Sequence, residues 1–264
     1  LNTIYCPFNE ITTLNVSNNP AVEFIDCRAN SMASLIVQGD TSLTHLYCGN
    51  NQLTFLDVSE NVHLAALYCT QNQLAHLDLG SLPDLRNLDC TSNQLTSLDL
   101  SGVPGFTYLS CENNKLAGLD VSGKTLLTEL RCQINELTEL NVDGTASLAY
   151  FDCYLNQLTS LEIPDRSKLQ SLNCSMNQLQ HLDVSGADTL FYLHCYDNQL
   201  TSLALTGDSA MADLNFVSNE ISEIDLSGMA MLYLLETADN QLTSLDVSGK
   251  PLLARLNCGF NLLE

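Results

Sequence analysis

The sequence predicts a solenoid built almost entirely from short parallel strands, and three observations lead to this fold class. The first is an internal period of 21 residues that runs through the 264-residue chain without an insertion or deletion. Repeats of about 20 to 50 residues are typical of solenoids. The second is an Asn at one position of the period in all thirteen copies. The third is an apolar and polar alternation with a period of two, as in a strand.

The repeat unit reads L-x-x-L-x-C-x-x-N-x-L-x-x-L-D-V-S-G-x-x-x, and its positions are numbered here from the first Leu. Positions 4 and 6 are expected to point inward, and positions 3, 5 and 7 outward, on a first strand. The alternation returns at positions 14 to 16, which predicts a second short strand on the opposite side. A unit of this length leaves no room for a helix. Strands stacked about 4.8 Å apart give a rod or shallow arc roughly 60 Å long.

Turn residues mark the corner that leads to the next unit. Gly occupies position 18 in eight copies, Gly39, Gly102 and Gly123 among them, and Pro recurs at position 20. Pro fixes φ, and Gly permits φ above zero. We therefore expect left-handed backbone at position 18.

The cysteines follow the same period and are interpreted as core residues. Ten of the eleven occupy position 6 in consecutive units from Cys6 to Cys195, and Cys258 rejoins the register after Phe216 and Thr237. Side chains in one such column lie side by side, so a disulfide would strain the sheet, and a zinc site needs four converging ligands. The sequence therefore predicts free, buried thiols that act as small hydrophobic groups. Thr237 in this column requires a buried hydrogen-bond partner.

Two polar columns have structural explanations. The Asn at position 9 is expected to satisfy backbone groups that lose their sheet partners at the bend. The carboxylate at position 15 is expected to accept a hydrogen bond from the turn that follows it. A calcium-binding ribbon is the alternative for this second column, because hard cations prefer carboxylate oxygens. The carboxylates at position 15 are Asp57, Asp78, Asp99, Asp120, Glu162, Asp183, Asp225 and Asp246.

The whole chain carries the leucine-rich-repeat signature LxxLxLxxNxL with Cys in the third aliphatic slot. Two segments show the pattern clearly, LDCTSNQLTSLDLSG from Leu88 and LNCSMNQLQHLDVSG from Leu172. They resemble the bacterial 21-residue class with a cysteine ladder, the class of internalin J and related surface proteins. The resemblance implies a right-handed solenoid in a surface or secreted bacterial protein used for adhesion or partner binding, hence an extracellular or cell-surface location. It does not identify the partner.

Charge and hydropathy exclude several classes of partner. The chain carries 31 acidic and 9 basic residues, a net charge of -22. Phosphate and anionic membrane would repel such a surface, so nucleic acid is not expected as a partner. No apolar run approaches the roughly 20 residues that span a bilayer, so this segment is not expected to insert into a membrane. We expect a single solenoid domain over residues 1–264, without the polar caps that solenoids need, and therefore part of a longer protein.

The predicted ligand-binding surface is the concave side, where all nine tyrosines fall. One cluster joins Tyr5, Phe24 and His45 to Tyr47 and Tyr68, and a second lies further along the chain. Tyr is enriched in protein interfaces, although exposed Tyr in a strand also reflects β-propensity. The candidate site residues are Tyr47, Tyr68, Tyr108, Tyr150, Tyr154, Tyr192, His194 and Tyr196.

The favoured hypothesis is a protein-binding or adhesion module whose tyrosine-rich acidic face suits a protein ligand, a basic one included. Two alternatives stay open, a structural or accessory subunit of a cell-envelope assembly and a glycan-binding surface protein. An enzyme is not expected, because His45 and His194 lie seven units apart and the thiols are buried and unactivated. No cofactor is expected.

Overall fold

A computed structural model describes residues 1–164, 166–205 and 209–264. Within these ranges the regular structure consists of short strands, and no helix occurs. Accordingly, the described part of the chain contains no helix long and apolar enough to cross a membrane. The strands, each of three residues, are β1 Thr3–Tyr5, β2 Thr13–Asn15, β3 Phe24–Asp26, β4 Ser34–Ile36, β5 His45–Tyr47, β6 Ala66–Tyr68, β7 Asn87–Asp89, β8 Tyr108–Ser110, β9 Gly118–Asp120, β10 Glu129–Arg131, β11 Glu139–Asn141, β12 Tyr150–Asp152, β13 Ser171–Asn173, β14 His181–Asp183, β15 Tyr192–His194, β16 Ser202–Ala204, β17 Asp213–Asn215, β18 Leu234–Glu236 and β19 Arg255–Asn257.

One parallel sheet of thirteen strands runs along the molecule and confirms the predicted solenoid. Its order is β1-β3-β5-β6-β7-β8-β10-β12-β13-β15-β17-β18-β19, so every unit contributes one strand. Each residue pairs with the residue one full unit later, for example Thr3 with Phe24 and Glu129 with Tyr150. Equal unit length therefore stacks identical repeat positions into straight columns.

The opposite, convex side carries the predicted second strand in part of the stack. Three two-stranded parallel sheets form there, β2 with β4, β9 with β11 and β14 with β16, and Asp57 makes a single bridge to Asp78. These strands occupy positions 13 to 15, one residue earlier than the alternation indicated. In four of the six strands position 15 is Asn or Asp, whose side chain accepts a hydrogen bond from the backbone two residues later, where the strand has ended.

The interior is apolar, and the buried thiols pack within it. All eleven cysteines are free, and nine are fully buried. Cys6 and Cys258 are partly exposed, because each lies in a terminal turn with a neighbour on one side only. Phe216 and Thr237 are fully buried in the same column, and the Thr237 hydroxyl donates to the Asn257 carbonyl oxygen at 3.3 Å. The buried hydroxyl thus has the partner that its position requires.

The Asn column fastens each turn to the one before it. Asn72 Nδ2 donates to the carbonyl oxygens of Cys69 and, in the preceding turn, Cys48, both at 3.1 Å. Its Oδ1 accepts from the N–H of Leu53 at 2.9 Å. The same three bonds recur in every unit from Asn30 to Asn261. Backbone groups that the sheet leaves unpaired at the bend are therefore satisfied by side-chain amides, as expected.

Left-handed backbone occurs at two places in the unit, and one of them was not predicted. The residue at position 8 has φ between 51° and 57° in all thirteen copies, including Ile134. At position 18, Gly39 and Gly123 have positive φ as expected. Gly102 does not, and a Cβ there would lie 1.7 Å from the Gly80 carbonyl oxygen. Gly102 is needed for a close approach of two turns and not for its φ.

Candidate functional site

The concave face is formed mainly by the side chains at positions 3 and 5 of the thirteen-stranded sheet and at position 7, just beyond each strand. They point away from the core, as expected, but most are half-buried, because residues in one column lie only about 4.8 Å apart. Some are almost fully covered by their neighbours, which the alternation alone did not indicate. Asp26 and Glu236 are examples, at 1% and 8% exposed.

Four of the five predicted members of the N-terminal aromatic cluster contact one another, whereas no ring contact of the described residues includes Tyr5. The rings of Tyr47 and Tyr68 stack with their centroids 4.9 Å apart and their planes 7° from parallel. Phe24 lies 5.4 Å from Tyr47, and His45 stacks on Tyr47 at 6.4 Å. The Arg28 guanidinium lies 5.2 Å from the Tyr47 ring centroid, a cation–π contact. Of the predicted members, Tyr5 is the most exposed, at 70%.

The second predicted cluster, here called the central tyrosine patch, is looser. It comprises Tyr108, Tyr150, Tyr154, Tyr192, His194 and Tyr196. Tyr192 and Tyr196 both contact the His194 ring, with centroids 4.0 Å and 6.1 Å away.

Hydrogen bonds position several members of this patch. The Tyr192 hydroxyl lies 2.6 Å from His194 Nδ1, and His194 Nε2 lies 3.2 Å from Asp213 Oδ1. Burial raises the pKa of Tyr192 to about 12, so its hydroxyl keeps its proton at neutral pH. Tyr150 is 46% exposed, and its hydroxyl donates to Gln170 Oε1 at 3.0 Å. Hydrogen bonds therefore hold the side chains of Tyr150, Tyr192 and His194 in place within the patch.

An acidic recess opens beside this patch, in β10 and the strands that follow it. The recess has a volume of about 330 Å³ and is lined by Glu129, Arg131, Gln133, Tyr150, Asp152 and Tyr192, among others. Glu129 pairs with Arg131 at 2.5 Å. Burial raises the pKa of Asp152 to about 6, with nearby Glu112 acting in the same direction.

Arginines neutralise part of the acidic charge on this face. Arg28 binds Asp26 at 2.7 Å and Arg255 binds Glu236 at 2.7 Å, as Arg131 binds Glu129. The Arg28 guanidinium beside Asp26 lowers the pKa of that carboxyl. The concave columns hold more acids than bases, so these pairs leave the face negative.

Seven of the eight convex carboxylates behave as the turn interpretation predicted, and Glu162 is the exception, because Pro164 two residues later has no N–H to donate. Asp99, Asp120 and Asp225 each accept a hydrogen bond from the backbone N–H two residues later, at 2.8 to 2.9 Å. These backbone hydrogen bonds are the main cause of the lowered pKa of all three carboxyls. Among the described residues, no group of three or more His, Cys, Asp or Glu side chains is arranged to hold a metal ion. The calcium alternative gains no support.

The thiols are poor nucleophiles in this setting. Burial raises the pKa of Cys69, Cys111 and Cys174 to about 12 in each case. Because the thiolate is the reactive form, such groups stay protonated and inert at neutral pH. They fill space in the core.

The recess is the feature that reasoning from the sequence missed. The tyrosines that line it were predicted to lie on the concave face, but Gln133 was not singled out. Gln133 is only 6% exposed, and its Nε2 donates to Glu112 Oε2 at 2.9 Å. The signal that was available is a run of polar side chains at position 7, Glu112 and Gln133, beside Asp152 at position 5.

Comparisons with known proteins agree on the fold. No protein-family model matches the chain, and no curated protein matches it. The functional domain of InlJ from Listeria monocytogenes, which includes a cysteine ladder, is similar, with a TM-score of 0.80 and 32% identity. The match covers 94% of this chain and 53% of that one, so the chain spans about half the length of this relative.

Two further solved structures show the same fold at lower identity. The internalin InlF from Listeria monocytogenes has a TM-score of 0.78 and 24% identity over 96% of this chain and 82% of its own. YopM from Yersinia enterocolitica has a TM-score of 0.77 and 23% identity over 99% of this chain and 65% of its own. Together with the repeat in every unit and the stacked thiols, the likeness establishes the class: the chain is a leucine-rich-repeat solenoid of the 21-residue type with a cysteine ladder, similar to the internalins.

Proposed function

We propose that the chain is a non-enzymatic protein-recognition or adhesion module of a bacterial surface or secreted protein, and that it binds through the concave face. The observation that carries the proposal is the central tyrosine patch, whose partly exposed rings lie on the concave face of a sheet that the Asn column ties together. Tyr and His offer large contact area at a small cost in conformational entropy.

The rest of the molecule supports this assignment. The thiols are buried and inert, and seven of the eight convex carboxylates are occupied by their own turns. Repeat proteins commonly bind their partners on an extended concave surface. Two chains with this fold were solved in protein complexes, FLRT2 with Latrophilin 3 and Unc5D, and LRIM1 with APL1C. Each is 20% identical to this chain, so the likeness itself is one of fold.

A variant in which Tyr150, Tyr154, Tyr192 and Tyr196 are all replaced by Ser tests the proposal. Native and variant chains are immobilised, and proteins captured from candidate host extracts are quantified by mass spectrometry. The matched control replaces exposed apolar residues outside the concave face, Phe55, Leu126 and Met231, by Ser; these are 69%, 51% and 52% exposed.

We expect the native chain and the control to retain the same specific proteins. The tyrosine variant should capture at least about tenfold less of each, because interface tyrosines are frequent hot spots. Thermal unfolding should be unchanged, since these side chains are not in the core. Equal capture by all three chains would remove the patch from the interface and favour the structural-subunit alternative. A signal on a glycan array that vanishes with the same tyrosines would favour glycan binding.

A further inference from the structure

The acidic recess contains a buried hydrogen-bond acceptor that the chain itself does not use. Gln133 Oε1 is buried and has no partner, although the amide nitrogen of the same side chain binds Glu112. A 180° rotation of the amide would place Oε1 against the Glu112 carboxylate, two acceptors facing each other, so the orientation is fixed by that bond. A buried acceptor without a donor destabilises a protein, so a donor from outside the chain would be bound favourably.

The charges around this acceptor specify the donor further. Glu129 and Asp152 line the recess with Gln133, and Glu112 accepts from the Gln133 amide nitrogen. Arg131 is the one base among the described residues that line the recess. Arg131 is committed to Glu129, while Glu112 and Asp152 take part in none of the ion pairs of the described residues. The ligand group must therefore carry positive charge as well as N–H donors.

The walls of the recess distinguish an organic cation from a metal ion. The described residues include no metal-holding cluster, and two of the recess walls are the aromatic side chains Tyr150 and Tyr192. Aromatic faces attract an ammonium group and pack against an aliphatic stem. A lysine side chain combines this stem with three N–H donors and no acceptor. Arg131 already occupies the recess margin with a planar guanidinium, 5.9 Å from the Tyr108 ring, which leaves the compact ammonium as the better fit.

We propose that the acidic recess binds the ammonium group of a lysine side chain supplied by a protein partner, with Gln133 Oε1 and the Asp152 carboxylate as its acceptors. This inference rests on the proposed function, because the lysine belongs to the recognised protein. The tyrosines of the patch supply contact area around it, and the buried charge pair supplies specificity for a basic side chain at one point.

Nuclear magnetic resonance titration of the ¹⁵N-labelled chain tests the proposal directly. The probe is N-acetyl-lysine methylamide, added to about 50 mM so that a millimolar dissociation constant is resolved. The norleucine and arginine analogues are the comparison probes. We expect saturable shifts of the Gln133 side-chain amide and the Asp152 backbone amide with the lysine probe, weaker shifts with the arginine probe, and none with norleucine.

Variants separate the recess from general attraction to an acidic surface. Asp152→Asn keeps the shape of the side chain and removes its charge, and we expect it to weaken lysine binding about tenfold. Gln133→Met removes the buried acceptor and should weaken binding as well. The matched control is Asp89→Asn, which makes the same change at position 5 three turns away and should bind within about twofold of the native chain.

Three results would refute lysine binding in the recess. They are chemical shift changes that stay linear to the end of the titration, changes spread over acidic residues across the surface, and equal losses of lysine affinity in Asp152→Asn and Asp89→Asn. The failure of this inference is distinct from failure of the proposed function. If the lysine probe does not bind but the tyrosine variant still loses its captured proteins, the concave face recognises a partner without the recess. If the probe binds but capture survives in the tyrosine variant, the recess is an amine site unconnected with the proposed recognition.

Discussion

Replacing Asn156 by Ala should measure how strongly the Asn column holds the stack together. Asn156 is 8% exposed and donates to the carbonyl oxygens of Cys132 at 3.1 Å and Cys153 at 3.0 Å, and its Oδ1 accepts from the N–H of Leu137 at 3.0 Å. After the substitution both carbonyls keep a partner, since Asn135 and Asn177 also donate to them at 3.1 Å. The N–H of Leu137, which is buried, loses the acceptor that Asn156 provides.

The magnitude follows from these three bonds. A buried N–H without a partner costs about 1–3 kcal/mol, and each lost hydrogen bond to a carbonyl about 0.5–1.5 kcal/mol. Asn156→Ala should therefore lower the free energy of unfolding by about 2–6 kcal/mol, a large share of the roughly 5–15 kcal/mol that a domain has. Urea unfolding followed by circular dichroism measures this, because the chain has no Trp for fluorescence.

Asn9→Ala is the matched control, because Asn9 occupies the same repeat position in the first turn. Its Nδ2 donates to the carbonyl oxygens of Cys6 and Pro7, both at 3.1 Å, in an exposed setting. Water replaces exposed bonds, so the loss should stay below about 1 kcal/mol. If Asn156→Ala costs no more than Asn9→Ala, the amides do not fasten the turns and the explanation of the column is wrong.

Three further outcomes follow from the core, the corners and the concave face. In the native chain iodoacetamide should label Cys6 and Cys258 well before any other cysteine, as mass spectrometry would show, and uniform labelling would contradict the buried column. Gly102→Ala should cost about 1–3 kcal/mol more than Gly118→Ala in urea unfolding, because a Cβ at Gly102 meets backbone at 1.7 Å, whereas at Gly118 the nearest atom would be 3.8 Å away and φ is not positive. Asp152, with Glu112 and Arg131 nearby, has a pKa of about 6 in the folded chain, above the value near 4 in the unfolded chain. Folding therefore favours the protonated carboxyl. The stability that this difference contributes is fully present below about pH 4 and is lost as the pH rises through 6. Asp152→Asn should flatten that part of the pH profile of the unfolding midpoint, and an unchanged profile would refute the assignment.

The fold could be predicted almost completely because the repeat removes the usual ambiguity. A three-residue strand such as Leu234–Glu236 has no reliable signal of its own, but thirteen aligned copies fix its place, its inward side chains and its pairing partner at once. The same alignment identified the thiols as packing groups and the amides as backbone partners. The exact start of the convex strands was missed by one residue, because hydropathy does not show where a turn begins.

Two features could not be predicted from the sequence, the left-handed backbone at position 8 and the recess. Position 8 is left-handed in every copy, yet it holds Phe, Ile, Leu and Met as well as Asn and Asp, so composition gave little warning. The recess was missed for a related reason. Whether Gln133 turns to Glu112 or to solvent is decided by neighbours 21 residues away, and no pattern along the chain encodes that choice.

The uniform turn length makes the spacing between contact areas discrete. Tyr68 of the N-terminal aromatic cluster and Asp152 of the recess share position 5 and lie four units apart, a separation of about 19 Å at the usual strand spacing. Removing one whole unit between them would shorten this separation by about 4.8 Å while every remaining turn kept an equivalent neighbour. The distance between the two areas can therefore change only in steps of about 4.8 Å. A ligand that touches both areas would be selected by its own length as well as by its chemistry.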